Sequence, residues 1–379
     1  MRVPYRVRRR WRRVVVLAAS LALLPGLVSF VGMFAQPSNS SFFVRAVEWL
    51  RSDGARGVVN RVEDIYYSLT APPTGGPALK ALPKQAGAAA AAGQAALSKK
   101  KVRIRPYVAS RITPVIHPAL AGEGMWHPTF SAGGSFDPPV MITSYRPEPQ
   151  YPQLVAGLAW INQTRANIML YPGVQEPAVT MPARGPEEVP ATTRHVLVAT
   201  FNSAFKLLDS GGGFAYNGHT YAPLKSGLAT ILKYRGGKVN IVDWTGGPNA
   251  PSNIVFARQN LPLIINNSKI NPNLADGPQW GATVGNAIQV WRSGIGIDRH
   301  GNLIYAAANY QTVGSLAAIL RHAGAVRAME LDINAYWPSF ITYKHPGALN
   351  PSNLLAGMQR SPLRYLTPDD RDFFAVYMK

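Results

Sequence analysis

Between residues 155 and 291 the chain alternates short apolar runs with clusters of turn residues, the pattern of a β-rich domain. The runs are Val155–Trp160, Ala166–Leu170, Val196–Phe201, Leu228–Lys233, Val239–Trp244, Leu261–Ile265 and Ile288–Trp291. Only Thr312–Ala323 has the spacing of a long helix, and a shorter helix candidate lies near the C-terminus. We therefore predict an α+β fold, dominated by sheet and with few helices, in one domain over residues 102–379.

The most informative stretch is 292–343. Small and apolar residues alternate around an Asp-Arg-His-Gly turn, which predicts a hairpin, and the helix and an extended run over 325–332 follow. Glu330 and Asp332 lie two residues apart near the end of that run, so an ideal strand projects both from one face. Because a carboxylate is costly to bury without a partner, this pair is the best chemical lead in the sequence.

The N-terminal region predicts a membrane anchor. Residues 1–13 contain seven arginines, which form a basic cytoplasmic tail, and residues 14–35 are an uncharged run long enough to span a bilayer. A cleaved signal peptide is the alternative, although the small-x-small cleavage pattern is poor near residue 35. In either case we expect the remainder of the chain to lie outside the cytoplasm.

Two segments separate this helix from the domain. Residues 36–70 have amphipathic spacing interrupted by Gly54 and Gly57, which predicts juxtamembrane helices that serve as a stalk, or alternatively as a docking surface for a partner. Residues 71–101 are rich in Pro, Gly and Ala, which predicts a flexible linker. Its lysines are either solvated or in contact with anionic surface polymers or lipid headgroups.

The net charge of +20 suggests nucleic acid at first, but its distribution does not. Residues 1–110 hold 18 of the 39 Lys and Arg and 4 of the 19 Asp and Glu, a net charge of +14, so only +6 remains for the rest. No nucleic-acid-binding motif accompanies this charge, and we predict no nucleic-acid partner. The chain has no cysteine, which excludes disulfides, thiolate metal sites and cysteine nucleophiles.

Three polar side chains are further candidates. Asn202 ends an apolar run, where an amide suits holding a sugar hydroxyl or a phosphate oxygen, or else caps a turn. Arg292 opens the hairpin, and its guanidinium suits a phosphodiester. His219, beside the turn at Gly211–Gly213, is an acid/base candidate. No histidine pair has metal-ligand spacing, and we predict no cofactor, although aspartate and asparagine oxygens leave a hard divalent cation such as calcium open.

These stretches resemble the phosphodiester glycosidase family. TFNSAF at 200–205 is similar to the family's Asn-x-x-Phe-Phe strand, and RSGIGIDRHGNLIY at 292–305 to its Arg-Ser/Thr-x-x-Gly hairpin. LAAILRHAGAVRAMELDIN at 316–334 resembles its helix followed by a Leu-Asp-Gly-Gly strand. The order of the three also agrees, over roughly residues 195–345. Ile333 and Asn334 stand where the family has Gly-Gly, which implies either a reshaped pocket or lost catalysis.

The resemblance implies an extracytoplasmic hydrolase that cleaves the glycosidic bond of sugar-1-phosphodiesters in cell-envelope glycans. Asp332 would be the nucleophile or general base, and Arg292 would stabilise the phosphate. Asn202 would orient the sugar, with Asn334 also on the substrate side, and Glu330 or His219 would assist proton transfer. The alternatives are a non-catalytic, membrane-tethered glycan-binding module, which the missing glycines favour, and an anchored scaffold that recruits a partner through residues 41–68.

Overall fold

The computed structural model describes residues 5–89, 107–129, 137–275, 277–281, 288–344 and 347–379. Its α-helices are α1 (Tyr5–Ala35), α2 (Phe42–Ser52), α3 (Arg56–Thr70), α4 (Leu207–Ser210) and α5 (Val313–His322). The first nine strands are β1 (His127–Pro128), β2 (Val140–Tyr145), β3 (Ala156–Ile161), β4 (Ala166–Tyr171), β5 (Leu197–Asn202), β6 (Phe214–Tyr216), β7 (His219–Ala222), β8 (Ala229–Tyr234) and β9 (Val239–Asp243). The other nine are β10 (Ile254–Gln259), β11 (Ile265–Asn266), β12 (Lys269–Ile270), β13 (Val290–Asp298), β14 (Leu303–Gln311), β15 (Ala325–Ile333), β16 (Phe340–Lys344), β17 (Leu349–Asn353) and β18 (Phe373–Met378).

These strands form three sheets, and their pairings in the described part of the chain are antiparallel. An eight-stranded sheet has the order β1-β2-β3-β14-β13-β15-β11-β12. Two five-stranded sheets have the orders β7-β6-β10-β8-β9 and β17-β16-β5-β18-β4. One apolar core contains side chains from all three sheets, and a second core lies between the eight-stranded sheet and α5. The predicted sheet-dominated α+β fold is confirmed.

The central hairpin and helix follow the predicted order, and local chemistry explains their positions. Thr312 caps α5 with a reciprocal capping box to Ser315. The helix packs close to β13 because Gly294 has no side chain: a Cβ there would lie 2.9 Å from Leu320 Cδ1. The strand after the helix, β15, is buried along most of its length and carries the predicted carboxylates at its end.

Two element predictions need correction. The helix candidate at the C-terminus is wrong, because residues 373–378 form β18, which pairs with both β4 and β5. An interior position between two strands favours an extended conformation over the short helical pattern. The run 261–265 is a strand only at its last residue, where Ile265 pairs with Ala328.

Among the described residues one helix is long and apolar enough to cross a membrane, at Trp11–Ala35, and its apolar stretch is not buried against the rest of the protein. A membrane anchor and a signal sequence both meet this criterion. Residues 42–70 form two helices, α2 and α3, that break near Gly54, whereas Gly57 lies within α3. The first part of the predicted linker, 71–89, runs along the domain, with the Gly75 amide donating to the Gln150 carbonyl at 2.9 Å. Residues 90–101 lie outside the described residues.

Candidate active site

Asp332, at the end of β15, is held through its backbone by the neighbouring strands. Its amide donates to the carbonyl of Ser203 at 2.9 Å, and its own carbonyl accepts a hydrogen bond of 2.6 Å from the Ser293 hydroxyl. Ser203 directly follows β5, whereas Ser293 lies on β13. The position of Asp332 is therefore fixed from both sides.

Asn202 is the centre of this arrangement. Its amide nitrogen donates to the carbonyl of Ser203 and to the hydroxyl of Ser293, both at 3.0 Å. Its amide oxygen accepts from the Tyr305 hydroxyl and from the Ser339 amide, both at 2.9 Å. The side chain is buried and uses both of its donors and both acceptor positions within the protein. Asn202 therefore lies beside Asp332, where its contacts position the aspartate backbone.

Glu330 and Arg292 form a closed, buried ion pair. Their charged atoms are 2.5 Å apart, and the Arg292 guanidinium also donates to the carbonyls of Gln311, Trp280 and Ile288. The pair lies between adjacent strands β15 and β13. The structure thus pairs Arg292 with Glu330, and the N–H groups of the guanidinium donate to acceptors within the protein. Burial raises the pKa of Glu330 to about 7, against the lowering effect of Arg292, and the charge of Asp332 adds to the rise.

Asp332 faces a different cation, Arg371. The two charged groups are 3.6 Å apart, and the guanidinium lies 4.2 Å above the ring of Trp337. The strand register shifts between Arg292 and Gly294, whose partners on β15 are Ile333 and Glu330. We predicted that the two carboxylates share one face of the strand. With this bulge in the pairing of β13 and β15, Glu330 pairs with Arg292 and Asp332 pairs with Arg371.

Burial raises the pKa of Asp332 to about 6, although Arg371 and the Ile333 amide favour its charged form. The carboxylate is consequently ionised near neutral pH but has an elevated proton affinity. A carboxylate with a raised pKa, at the end of a strand and next to an arginine, has the properties of a nucleophile or a general base.

The loop that carries Arg371 is anchored by its three acidic neighbours. Asp369 pairs with Arg360 and Arg364 at 3.0 and 2.8 Å, and Asp372 pairs with Arg258 at 2.8 Å. Asp370 accepts hydrogen bonds from Ser38 and Ser40, which precede α2. The Arg371 guanidinium itself has no hydrogen bond among the described contacts, and its buried Nη1 meets Asp332 only at ion-pair distance.

The two residues that replace the family's glycines have separate roles. Ile333 packs in a small apolar cluster with Phe205 and Val290, within the protein. Asn334 has a φ of +73°, in the left-handed region that glycine favours and asparagine tolerates. Asn334 therefore has a backbone conformation that glycine readily adopts at the second of the two positions.

A cleft of about 230 Å³ lies next to Asn334, between α2, α3 and residues 334–337. Its lining includes the aromatic rings of Phe43, Tyr66, Tyr67, Tyr336 and Trp337. Asn334 Oδ1 and Ser203 Oγ are buried without a hydrogen-bond partner within the described part of the chain. Buried polar atoms are usually satisfied, so this group near Asp332 indicates room for a ligand.

The last sequence candidate, His219, lies away from Asp332, and two residues near Asp332 were not predicted. His219 is exposed on β7, in another sheet, where its ring neighbours Tyr221, and none of the described contacts joins it to Asp332. Arg371 was not predicted from the sequence, and neither was Lys206, whose ammonium group contacts Glu48 beside Arg371. The four charged residues Asp369–Asp372 directly before an apolar strand were the available signal. No group of three or more His, Asp or Glu side chains in the described ranges is arranged to hold a metal ion.

Comparison with known proteins agrees with the resemblance found in the sequence. Residues 195–332 match the model of the phosphodiester glycosidase family, which covers Asn202, Arg292 and Asp332 and ends before Asn334 and Arg371. No curated protein sequence matches the chain.

Three solved structures are similar at low identity. The first is the zebrafish N-acetylglucosamine-1-phosphodiester alpha-N-acetylglucosaminidase catalytic domain, auto-inhibited by its pro-peptide (14% identity, 65% of this chain and 85% of that one, TM-score 0.40). The second is a hypothetical Synechocystis protein (15%, 60% and 59%, TM-score 0.33). The third is an exported protein from Burkholderia pseudomallei (12%, 59% and 74%, TM-score 0.34).

Proposed function

We propose that this protein is a glycosidase that hydrolyses sugar-1-phosphodiesters outside the cytoplasm, with Asp332 as its catalytic carboxylate. The observation that carries the proposal is the Asp332–Arg371 pair: a buried carboxylate with a raised pKa, 3.6 Å from a cation that has no hydrogen bond among the described contacts. The family match over residues 195–332 supports the reaction class.

In this mechanism the bond between the anomeric carbon and the phosphate oxygen breaks, and its electron pair leaves with the phosphate. The sugar passes through an oxocarbenium-like state. Asp332 acts on the sugar side, either as the nucleophile or as the base that takes a proton from water, and water supplies the new anomeric hydroxyl. Arg371, opposite Asp332, stabilises the charge on the departing phosphate.

The surrounding residues have supporting roles. Asn202 positions the Asp332 backbone through Ser203 and Ser293, and the free Oδ1 of Asn334 is available to a sugar hydroxyl. Because a phosphate is already an acceptable leaving group, a separate strong general acid is unnecessary. This fits Glu330, whose carboxylate is paired with Arg292; we assign to that pair a structural role.

The substrate context follows from the N-terminal region. A helix able to span a membrane, with an arginine-rich N-terminal end, favours an anchored protein whose domain lies on the outer side. We therefore propose phosphodiester-linked glycans of the cell envelope as substrates. The aromatic cleft favours a second candidate, a membrane-tethered glycan-binding module, because aromatic rings also suit sugar binding without chemistry.

The test uses the full chain in detergent micelles, incubated with a panel of sugar-1-phosphodiesters, with free reducing sugar as the readout. Sugar release by the wild type and its loss in Asp332→Asn are the expected results, and parallel samples with EDTA determine whether a divalent cation is required. If the folded wild-type protein binds glycan but releases no sugar, the result would contradict the enzyme and support the glycan-binding module.

A further inference from the structure

The carboxylate of Glu48, on α2, lies against the candidate active site and pairs with two cations there. It contacts the Lys206 ammonium group and lies 3.9 Å from Arg371. Lys206 lies directly before α4, in the loop that follows β5, and Arg371 is the partner of Asp332. These contacts connect the juxtamembrane helix to the catalytic domain over a long sequence separation.

Glu48 is also chemically suited to this position. Burial opposes its ionisation, but Lys206 and Arg371 together hold its pKa below the usual range, so the carboxylate is negative. Its side chain is 18% exposed and lines the cleft next to Asn334. A negative group therefore sits at the cleft, paired with both cations.

The preceding residues dock in the same place. Ser38 and Ser40 donate to Asp370, and Asn39 donates to the carbonyl of Arg364 at 2.6 Å. The segment from Ser38 to Glu48 thus contacts the loop that carries Arg371, at successive points. The position of Glu48 is set by this docking as well as by charge.

We propose that Lys206 and Arg371 form a binding subsite for the phosphodiester anion, and that the Glu48 carboxylate occupies this subsite in the structure as an internal substitute for the ligand. This inference rests on the proposed function and adds to it the residues that recognise the phosphate. Two fixed cations suit a singly charged phosphodiester. Arg371 contacts Asp332 through Nη1 at 3.6 Å and Glu48 through Nη2 at 3.9 Å, without a hydrogen bond among the described contacts, so its N–H donors are available to a phosphate oxygen. A bound phosphodiester displaces Glu48, so α2 must move for substrate to enter.

The experiment measures binding of dimethyl phosphate, a phosphodiester monoanion, to the full chain in uncharged detergent by calorimetry. Neutral trimethyl phosphate is the matched control ligand. Glu48→Gln should bind dimethyl phosphate at least about tenfold more tightly than the wild type, because the competing charge is gone. Asp53→Asn, which removes a carboxylate directly after the same helix, should bind like the wild type.

The contribution of Lys206 is tested in the Glu48→Gln background. Lys206→Met should abolish the gain in affinity, Lys206→Arg should restore most of it, and Lys225→Met should leave it unchanged. The inference is overturned if Glu48→Gln binds no better than Asp53→Asn, or if the gain persists without Lys206. Both results are independent of catalysis. A protein that binds dimethyl phosphate in this way but releases no sugar would therefore support the subsite and contradict the glycosidase function.

Lipid headgroups are phosphodiesters too, and a second series separates the two sources. The same titrations are repeated in nanodiscs of phosphatidylglycerol and of phosphatidylcholine. We expect the Glu48→Gln affinity to be the same in micelles and in both discs. Loss of dimethyl phosphate binding in the nanodiscs would assign the subsite to headgroups and overturn its role toward the substrate.

Discussion

Two carboxylates near the end of β15 pair with arginines, yet their surroundings differ. The Glu330–Arg292 pair is closed, with the arginine also bound to three backbone carbonyls. The Asp332–Arg371 pair is open: its charges are 3.6 Å apart, and the guanidinium rests on Trp337 without a hydrogen bond among the described contacts. An arginine with satisfied donors stabilises a fold, whereas one with unsatisfied donors is available to a ligand.

The largest effect is expected at the closed pair. Glu330→Ala leaves the buried Arg292 charge without its partner, so the free energy of unfolding should fall by roughly 3–5 kcal/mol. Chemical denaturation followed by circular dichroism measures this change. Glu188→Ala, which breaks the more exposed pair with Arg194, is the matched control and should cost less than about 1 kcal/mol. Equal losses in the two variants would contradict the structural role of Glu330.

At the open pair we expect a loss of activity rather than of stability. Arg371→Met should lower kcat/KM for a sugar-1-phosphodiester by about 100-fold, the usual scale for removing a donor that stabilises developing charge. Arg371→Lys should recover part of the loss, because it keeps the charge but not the guanidinium geometry. A variant that melts far below the wild type while keeping its kcat/KM would show that Arg371 is structural.

The raised pKa of Asp332 has a stability consequence with a definite sign. The folded-state pKa of about 6 exceeds the ordinary value of 3.8, so the carboxyl stabilises the fold below pH 3.8, and this contribution is lost as the pH rises through 6. The stability of Asp332→Asn relative to the wild type should therefore rise between pH 3.5 and a pH above 6, by on the order of 1–3 kcal/mol. Thermal melting at both pH values tests this; an equal difference at both would contradict it.

Enzyme activity should depend on the same group. If the ionised carboxylate is the reactive form, kcat/KM should fall as the pH decreases through about 6. In Arg371→Met the acid limb should move to higher pH, because Arg371 favours the charged form of Asp332. The pH–rate profiles of the two proteins provide the test. If the substitution leaves the acid limb at the same pH, the acid limb does not report the ionisation of Asp332.

The smallest effect is expected at His219, which lies exposed in another sheet. His219→Gln should change kcat/KM by less than about twofold, the range in which a side chain contributes no general acid–base catalysis. A loss of 100-fold or more would restore the sequence-based hypothesis that this histidine transfers a proton.

The elements around Asp332 were predictable because local patterns determine them. The hairpin, α5 and β15 follow from alternation, helical spacing and a capping residue, all within residues 290–333. The order of these elements also carries the family resemblance, which is why Asp332 and Asn202 were candidates. The replacement of Gly-Gly was ambiguous in the sequence because the φ of Asn334 is a property of the folded chain.

Arg371 was not predictable in the same way, because it reaches the site through long-range pairing. Phe373 on β18 pairs with Asn202 on β5, and this register brings the preceding loop next to Ser203 and Asp332. Similarly, a single sequence cannot pair Arg292 with Glu330, since the contact depends on the order of strands in the sheet. Charge patterns identify candidate residues, whereas the sheet topology selects their partners.

The most direct test of the account compares two isosteric variants, Asp332→Asn and Glu330→Gln, in one assay of sugar release from a sugar-1-phosphodiester, normalised to folded protein. We predict that Asp332→Asn loses at least about 1000-fold in kcat/KM, the scale of removing a catalytic nucleophile. Glu330→Gln keeps a hydrogen-bond acceptor for Arg292 and should remain within about tenfold of the wild type. The reverse result, with Glu330→Gln inactive and Asp332→Asn active, would contradict the assignment of Asp332 as the catalytic carboxylate.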